Sequence, residues 1–137
     1  MGDEKLNIVL ILGTSRKVRK SELAARYVNE ILSTYTNVQA VYVDPQDFNL
    51  PYDGNDDDVK DPRYSEITKN ADGFLIVSPE YNHSFPGSLK RLLDSELKNY
   101  RHKAVAFIGV SSGMIGGARA IEALVGATRE MGLISTF

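Results

Sequence analysis

Residues 6 to 21 read LNIVLILGTSRKVRKS, an almost unbroken run of aliphatic side chains followed by a polar, basic turn. Branched apolar residues without alternation are typical of a parallel strand that is buried on both faces. We therefore predict the first strand over residues 6 to 12. The switch to a polar turn and then to helical spacing indicates a strand, loop and helix unit of an α/β protein.

The helix of this unit is predicted over residues 21 to 35, with Ser21 as its cap. Its apolar positions recur with helical spacing and predict one buried stripe with an adjacent row. The stripe and its neighbouring row contain Leu23, Tyr27, Ile31, Ala24 and Val28.

Strands and helices continue to alternate along the rest of the chain. Further strands are predicted at residues 39 to 43, 73 to 77 and 104 to 110, and further helices at 63 to 70, 86 to 98 and 118 to 131. This alternation predicts a doubly wound parallel sheet in the flavodoxin-like order 2-1-3-4-5. Residues 134 to 137 are expected to form a truncated fifth strand without a final helix.

Composition narrows the class of protein. A chain of 137 residues with 42% hydrophobic content suits one domain, here residues 1 to 137. Without a membrane-spanning run or a signal peptide, it is expected to be cytoplasmic. The chain has no cysteine, so redox chemistry would need a cofactor, and its net charge of -2 does not suggest a nucleic-acid partner.

Three loops follow strands one, three and four, whose carboxyl ends are neighbours in this strand order. Residues 13 to 21 combine hydroxyls, four basic side chains and a helix start, which favours phosphate binding. Residues 78 to 87 read SPEYNHSFPG and offer a rigid backbone with aromatic surface, which suits a flat heterocycle. Residues 111 to 117 read SSGMIGG, and their glycines permit close approach of a ligand.

The same loops resemble the NADPH-dependent FMN reductase family, most specifically in residues 79 to 90, PEYNHSFPGSLK. The resemblance implies an FMN-binding enzyme that takes hydride from NADPH or NADH and reduces a flavin, quinone, azo compound or metal. It implies that the flavin carries the chemistry, with no catalytic side chain. The implied cofactor-binding residues are Thr14, Ser15, Arg16 and Ser21 at the phosphate, Pro79, Glu80, Tyr81 and Asn82 at the ring and ribityl chain, and Ser112 and Gly113 beside the ring.

The sequence also allows other functions. The same site would suit an FMN-binding electron carrier or flavin sensor without nicotinamide turnover. Residues 109 to 113, GVSSG, match a nucleophile elbow and would allow a serine hydrolase using Ser111, although both histidines lie upstream. A phosphate-binding NTPase is disfavoured because the first loop lacks the second glycine of its motif.

The expected partners are a small-molecule electron acceptor and a second copy of the chain. A truncated fifth strand would leave an edge and part of a sheet face poorly covered. Association into a homodimer or higher homo-oligomer would bury that surface. No nucleic-acid or membrane partner is expected.

Overall fold

The structure is a computed structural model, and it describes residues 4 to 136. Five parallel strands form one sheet in the order β2-β1-β3-β4-β5. The strands are β1 (Leu6–Leu12), β2 (Val38–Val43), β3 (Gly73–Pro79), β4 (Ala104–Val110) and β5 (Ile134–Ser135). The predicted doubly wound fold and strand order are confirmed. Phe137, the last residue of the predicted fifth strand, lies outside the described residues.

The helices are α1 (Ser21–Ser33), α2 (Pro62–Asn70), α3 (Gly87–Asp94) and α4 (Ala118–Glu130). The prediction of one helix over residues 86 to 98 was wrong in its length. Ser95 Oγ donates to Leu92 O at 2.7 Å, and Glu96 turns inward to accept from Asn99 Nδ2 at 3.3 Å. A separate 3-10 turn, Lys98–Tyr100, follows. None of the helices built from residues 4 to 136 has the length and apolar character required to cross a bilayer.

The two faces of the sheet are covered unequally. On one face, α2, α3 and α4 pack into a large core, with Tyr64, Leu92 and Leu124 all at most 1% exposed. On the other face only α1 packs, mainly over β1, β2 and β3. Ile108 and Val110 of β4 point to this second face and are only partly buried.

The predicted buried stripe of α1 was wrong in part. The helix packs on the sheet through small side chains, with Ala25 fully buried and Ala24 and Val28 beside it. Leu23 and Tyr27 are instead 72% and 65% exposed, and Ile31, Tyr35 and Leu6 are also exposed. Because both rows of the helix are apolar, helical periodicity cannot decide which row faces the sheet.

The carboxyl ends of β1, β3 and β4 lie side by side, as the strand register shows: Leu12 pairs with Val77, and Val77 pairs with Ile108. The chain leaves β1 through Gly13, where a Cβ atom would lie 2.8 Å from Val77 O. Only glycine permits this approach of the first loop to β3. The fold therefore brings the three predicted loops to one edge of the sheet.

Candidate functional site

The loop after β1 is held in place by a buried threonine. Thr14 is 1% exposed, and its Oγ1 accepts from Arg16 N at 3.2 Å. The same oxygen lies 3.2 Å from the hydroxyl of Tyr81, in the loop after β3. Thr14 and Tyr81 therefore connect the two loops directly, a contact that motif reading did not predict.

Arg19 supports this loop from within the protein. Its guanidinium donates to Thr14 O at 3.2 Å, forms a bidentate pair with Asp44 after β2, and reaches Glu22 at 3.3 Å. Burial alone would lower the pKa of Arg19, but the hydrogen bonds from Arg19 to Asp44 raise it overall. Its charge is compensated by these carboxylates, which leaves Arg16, Lys17 and Lys20 as the exposed basic side chains of the loop.

The prediction that Ser21 caps α1 was wrong, because the residue at the N-cap position is Lys20. Ser21 is the first helical residue, only 3% exposed, and its buried Oγ has no hydrogen-bond partner in the described part of the chain. The backbone N–H groups of residues 17 to 21 also donate to no acceptor within residues 4 to 136. Unpaired donors at the positive end of a helix dipole form an anion-binding site.

The loop after β3 is held by backbone hydrogen bonds. Glu80 N donates to Val110 O at 3.2 Å, which fixes the loop to β4. Tyr81 and Ser84 then exchange two backbone hydrogen bonds, of 2.8 and 3.1 Å. Asn82 and His83 between them have φ values of 49° and 70°, the left-handed conformations of a type I′ turn.

The loop after β4 turns on its glycines. Ser111 Oγ accepts from Gly113 N at 3.2 Å and lies 3.3 Å from Gly113 O. Gly117 has a φ of 83°, and a Cβ atom there would lie 2.8 Å from Val110 N. Met114, at the tip of the loop, is fully exposed.

The three loops enclose a cavity of about 610 Å³, here called the strand-end cavity. It brings together six of the ten predicted site residues: Arg16, Ser21, Pro79, Glu80, Tyr81 and Ser112. It also contains residues that were not predicted for the site: Val18, Arg19, Lys20, Val110 and Ser111. A larger cavity of about 880 Å³ lies around His102 and Gly132, near the opposite ends of the strands.

Four predicted residues lie outside the strand-end cavity. Thr14 contacts the cavity residue Tyr81 through its hydroxyl, and Ser15 N donates to Ser88 Oγ at 3.1 Å. Asn82 is exposed in the type I′ turn. Gly113 lines an adjoining cavity of about 410 Å³, which shares Glu80, Ser111 and Ser112 with the strand-end cavity.

The adjoining cavity contains an ion pair that sequence reasoning missed. Arg119 Nη1, from the first turn of α4, lies 3.7 Å from Glu80 Oε1. The Glu80 side chain is 13% exposed, and its other oxygen, Oε2, is buried without a hydrogen-bond partner among the described residues. The position of Arg119 just after the glycine turn of β4 is the one sequence signal that could have indicated it. Across residues 4 to 136, no group of three or more His, Cys, Asp or Glu side chains could hold a metal ion.

Residues 6–136 match the sequence model of a family described as NADPH-dependent FMN reductase. The chain belongs to this family. The family resemblance seen in the loop motifs is thereby confirmed.

Individual relatives agree with the family assignment. The chain is 36% identical over 129 residues to a quinone reductase from Escherichia coli K12, covering 85% of this chain and 65% of that protein. It is 27% identical over 124 residues to an NADPH azoreductase from Bacillus sp. OY1-2, covering 87% of this chain and 66% of that protein. The chain thus spans about 65% of the length of these curated relatives.

Solved structures show the same fold. A flavoenzyme NAD(P)H:(acceptor) oxidoreductase from Paracoccus denitrificans superimposes with a TM-score of 0.78 at 22% identity, covering 96% of this chain and 75% of that one. An azoreductase from Bacillus anthracis superimposes with a TM-score of 0.64 at 16% identity, covering 94% and 83% of the two chains. The hydrolase alternative has no support in the site, because the hydrogen bonds of Ser111 Oγ within the described chain go to Gly113 alone.

Proposed function

We propose that this family member binds FMN in the strand-end cavity and acts as an NAD(P)H-dependent oxidoreductase. The main supporting observation is the Ser21 Oγ hydroxyl at the start of α1, which is buried and has no hydrogen-bond partner within residues 4 to 136. The five neighbouring backbone N–H groups of residues 17 to 21 likewise have no acceptor in that part of the chain. Buried polar groups without hydrogen bonds lower the free energy of unfolding, unless a ligand supplies the missing partners. A phosphate monoester supplies acceptor oxygens and the negative charge that this helix end favours.

The proposed position of the phosphate assigns roles to the first loop. Ser21 and the backbone N–H groups of residues 17 to 21 would donate to the phosphate oxygens. Arg16 is exposed and lines the same cavity, so its guanidinium would add charge-assisted hydrogen bonds. Thr14 and Ser15 would hold the loop in its binding conformation through Tyr81 and Ser88.

The proposed position of the ring system lies between the other two loops. Pro79, Tyr81 and Ser112 line the cavity there, and Gly113 borders it from the adjoining side. The type I′ turn at Asn82 keeps the β3 loop rigid, so its backbone would present fixed hydrogen-bonding groups to the ring edge. Bound FMN supplies the hydride chemistry, while these residues bind and orient it.

The electron donor is proposed to be NADPH or NADH, and the acceptor a quinone or an azo compound. The family description supports the donor, and the names of the quinone reductase and NADPH azoreductase relatives support the acceptors. The exposed apolar side chains of Met114 and Ile115, beside the proposed ring position, suit a flat apolar acceptor. The cytoplasmic location expected from the sequence stays a prediction.

Titration of the purified protein with FMN tests the cofactor, and anaerobic addition of NADPH or NADH to the loaded protein tests the reaction. We expect binding of FMN to perturb its visible spectrum and the nicotinamide to bleach it, faster than in a matched solution of free FMN. Binding without accelerated bleaching would favour the electron carrier or sensor. Absence of FMN binding would contradict the proposal.

We also propose that copies of the chain associate through the α1 side of the sheet. The α1 side chains Leu23, Tyr27 and Ile31 are exposed, and the β4 residues Ile108 and Val110 on the same face of the sheet are only partly buried. Apolar side chains exposed on one face of a protein are typical of interfaces. Light scattering across a dilution series should show a dimer or larger assembly, and a stable monomer at micromolar concentration would contradict it.

A further inference from the structure

The Glu80–Arg119 ion pair lies at the boundary of the strand-end cavity and the adjoining cavity. Glu80 borders both cavities, whereas Arg119 borders only the adjoining one. The pair joins the β3 loop to the first turn of α4 across 3.7 Å. Any ring held between the β3 and β4 loops would therefore be close to the carboxylate and farther from the guanidinium.

Neither the charge of Arg119 nor that of Glu80 stabilises the element in which it lies. A basic side chain in the first turn of a helix opposes the helix dipole, and α4 has no acidic residue there to compensate. Glu80 is largely buried, and burial without full hydrogen bonding disfavours a carboxylate. Among residues 4 to 136, Arg119 is the basic residue that forms an ion pair with Glu80.

We propose that Arg119 is a positioning residue that offsets the charge of Glu80 beside the cofactor and so sets the relative affinity for oxidised and reduced FMN. This inference rests on the proposed binding of FMN in the strand-end cavity. The reduced cofactor carries additional negative charge on its ring at neutral pH. An uncompensated Glu80 carboxylate would repel that charge, and Arg119 weakens the repulsion.

Two substitutions should have opposite effects on this relative affinity. Arg119→Gln leaves Glu80 uncompensated, so binding of reduced FMN should weaken by about tenfold relative to oxidised FMN. Glu80→Gln leaves the guanidinium without its carboxylate partner, so the ratio should shift by about tenfold toward reduced FMN. A tenfold shift corresponds to about 30 mV in the two-electron potential of the bound cofactor. The double variant should lie between the single variants.

The experiment measures dissociation constants for oxidised FMN and, under anaerobic conditions, for chemically reduced FMN. Arg129→Gln is the matched control, because it removes the same charge from the last turn of α4. Its ratio should stay within about twofold of the unsubstituted protein. Circular dichroism verifies that every variant is folded.

The outcomes separate this inference from the proposed function. Opposite shifts for Arg119→Gln and Glu80→Gln support the positioning role. Single variants that both stay within about twofold of the unsubstituted protein, or that shift in the same direction, overturn it while leaving FMN binding intact. If the unsubstituted protein binds neither form of FMN, the proposed function itself fails, and this inference fails with it.

Discussion

Replacing Ser21 with alanine should affect stability and cofactor binding in opposite directions. The side chain is 3% exposed and its Oγ forms no hydrogen bond with residues 4 to 136, so removal of the hydroxyl breaks no bond within this part of the protein. A buried unsatisfied polar group costs about 1 to 3 kcal/mol. The free energy of unfolding of Ser21→Ala without ligand should therefore be unchanged, or higher by about 1 kcal/mol.

Binding of FMN should weaken in the same variant. A hydrogen bond to a charged group contributes about 1.5 to 3 kcal/mol. Loss of the Ser21 donor to the phosphate should raise the dissociation constant of FMN by about tenfold to a hundredfold. Riboflavin has no phosphate, so its affinity should be the same for both proteins.

Urea unfolding without ligand and calorimetric titration with FMN and riboflavin would measure the two effects. Ser33→Ala is a suitable control, since it removes an exposed serine hydroxyl from the last turn of the same helix. It should leave both flavin affinities unchanged. A Ser21→Ala protein that is less stable by more than about 1 kcal/mol, with unchanged FMN affinity, would show that the hydroxyl is structural.

Substitutions in the first loop and in α2 test three further contacts. Arg16→Ala should weaken FMN binding by about tenfold to a hundredfold without affecting riboflavin, and equal losses for the two ligands would contradict a phosphate contact. Gly13→Ala places a Cβ atom 2.8 Å from Val77 O, so it should lower the free energy of unfolding by about 1 to 3 kcal/mol. Urea titration measures this change, and an unchanged unfolding midpoint would refute the steric argument. Asp61 caps α2, and a hydrogen bond from the Arg63 side chain holds the pKa of the Asp61 carboxyl far below the usual value of 3.8. The ionised carboxylate therefore stabilises the fold fully above pH 3.8, and this contribution is lost as the pH falls through the lowered pKa. The stability difference between the unsubstituted protein and Asp61→Asn should therefore shrink from pH 7 toward strongly acidic pH, and a constant difference would count against this ion pair.

The sheet could be predicted from the sequence because its signals are local. The unbroken apolar run of β1 and the switch to helical spacing at Ser21 are readable from residue order alone. The orientation of α1 could not be predicted, because Tyr27 and Val28 lie on neighbouring apolar rows and only the packed sheet selects between them. The end of α3 depends on Glu96 meeting residues of α2, a contact without local signal.

The grouping of several candidate residues in one cavity could also be predicted, whereas their role in binding stays a prediction. Loops at the carboxyl ends of adjacent strands are placed by topology, so Arg16 and Tyr81 could be assigned to one cavity from strand order. The contacts between the loops could not be predicted from the sequence. Arg19 meets Asp44 and Arg119 meets Glu80 across separations of 25 and 39 residues, where a single sequence carries no pairing information.

The hydroxyl contact between Thr14 and Tyr81 has a kinetic consequence. Because this contact anchors one loop to the other, it limits changes in the distance between the proposed phosphate end and the proposed ring end of the cavity. A flavin entering such a site does not have to order a disordered segment, so its association should follow a single concentration-dependent phase without a slow isomerisation. Tyr81→Phe would release this anchor while keeping the aromatic ring. Its signature would be a slower approach to the bound state, with dissociation rates far less altered.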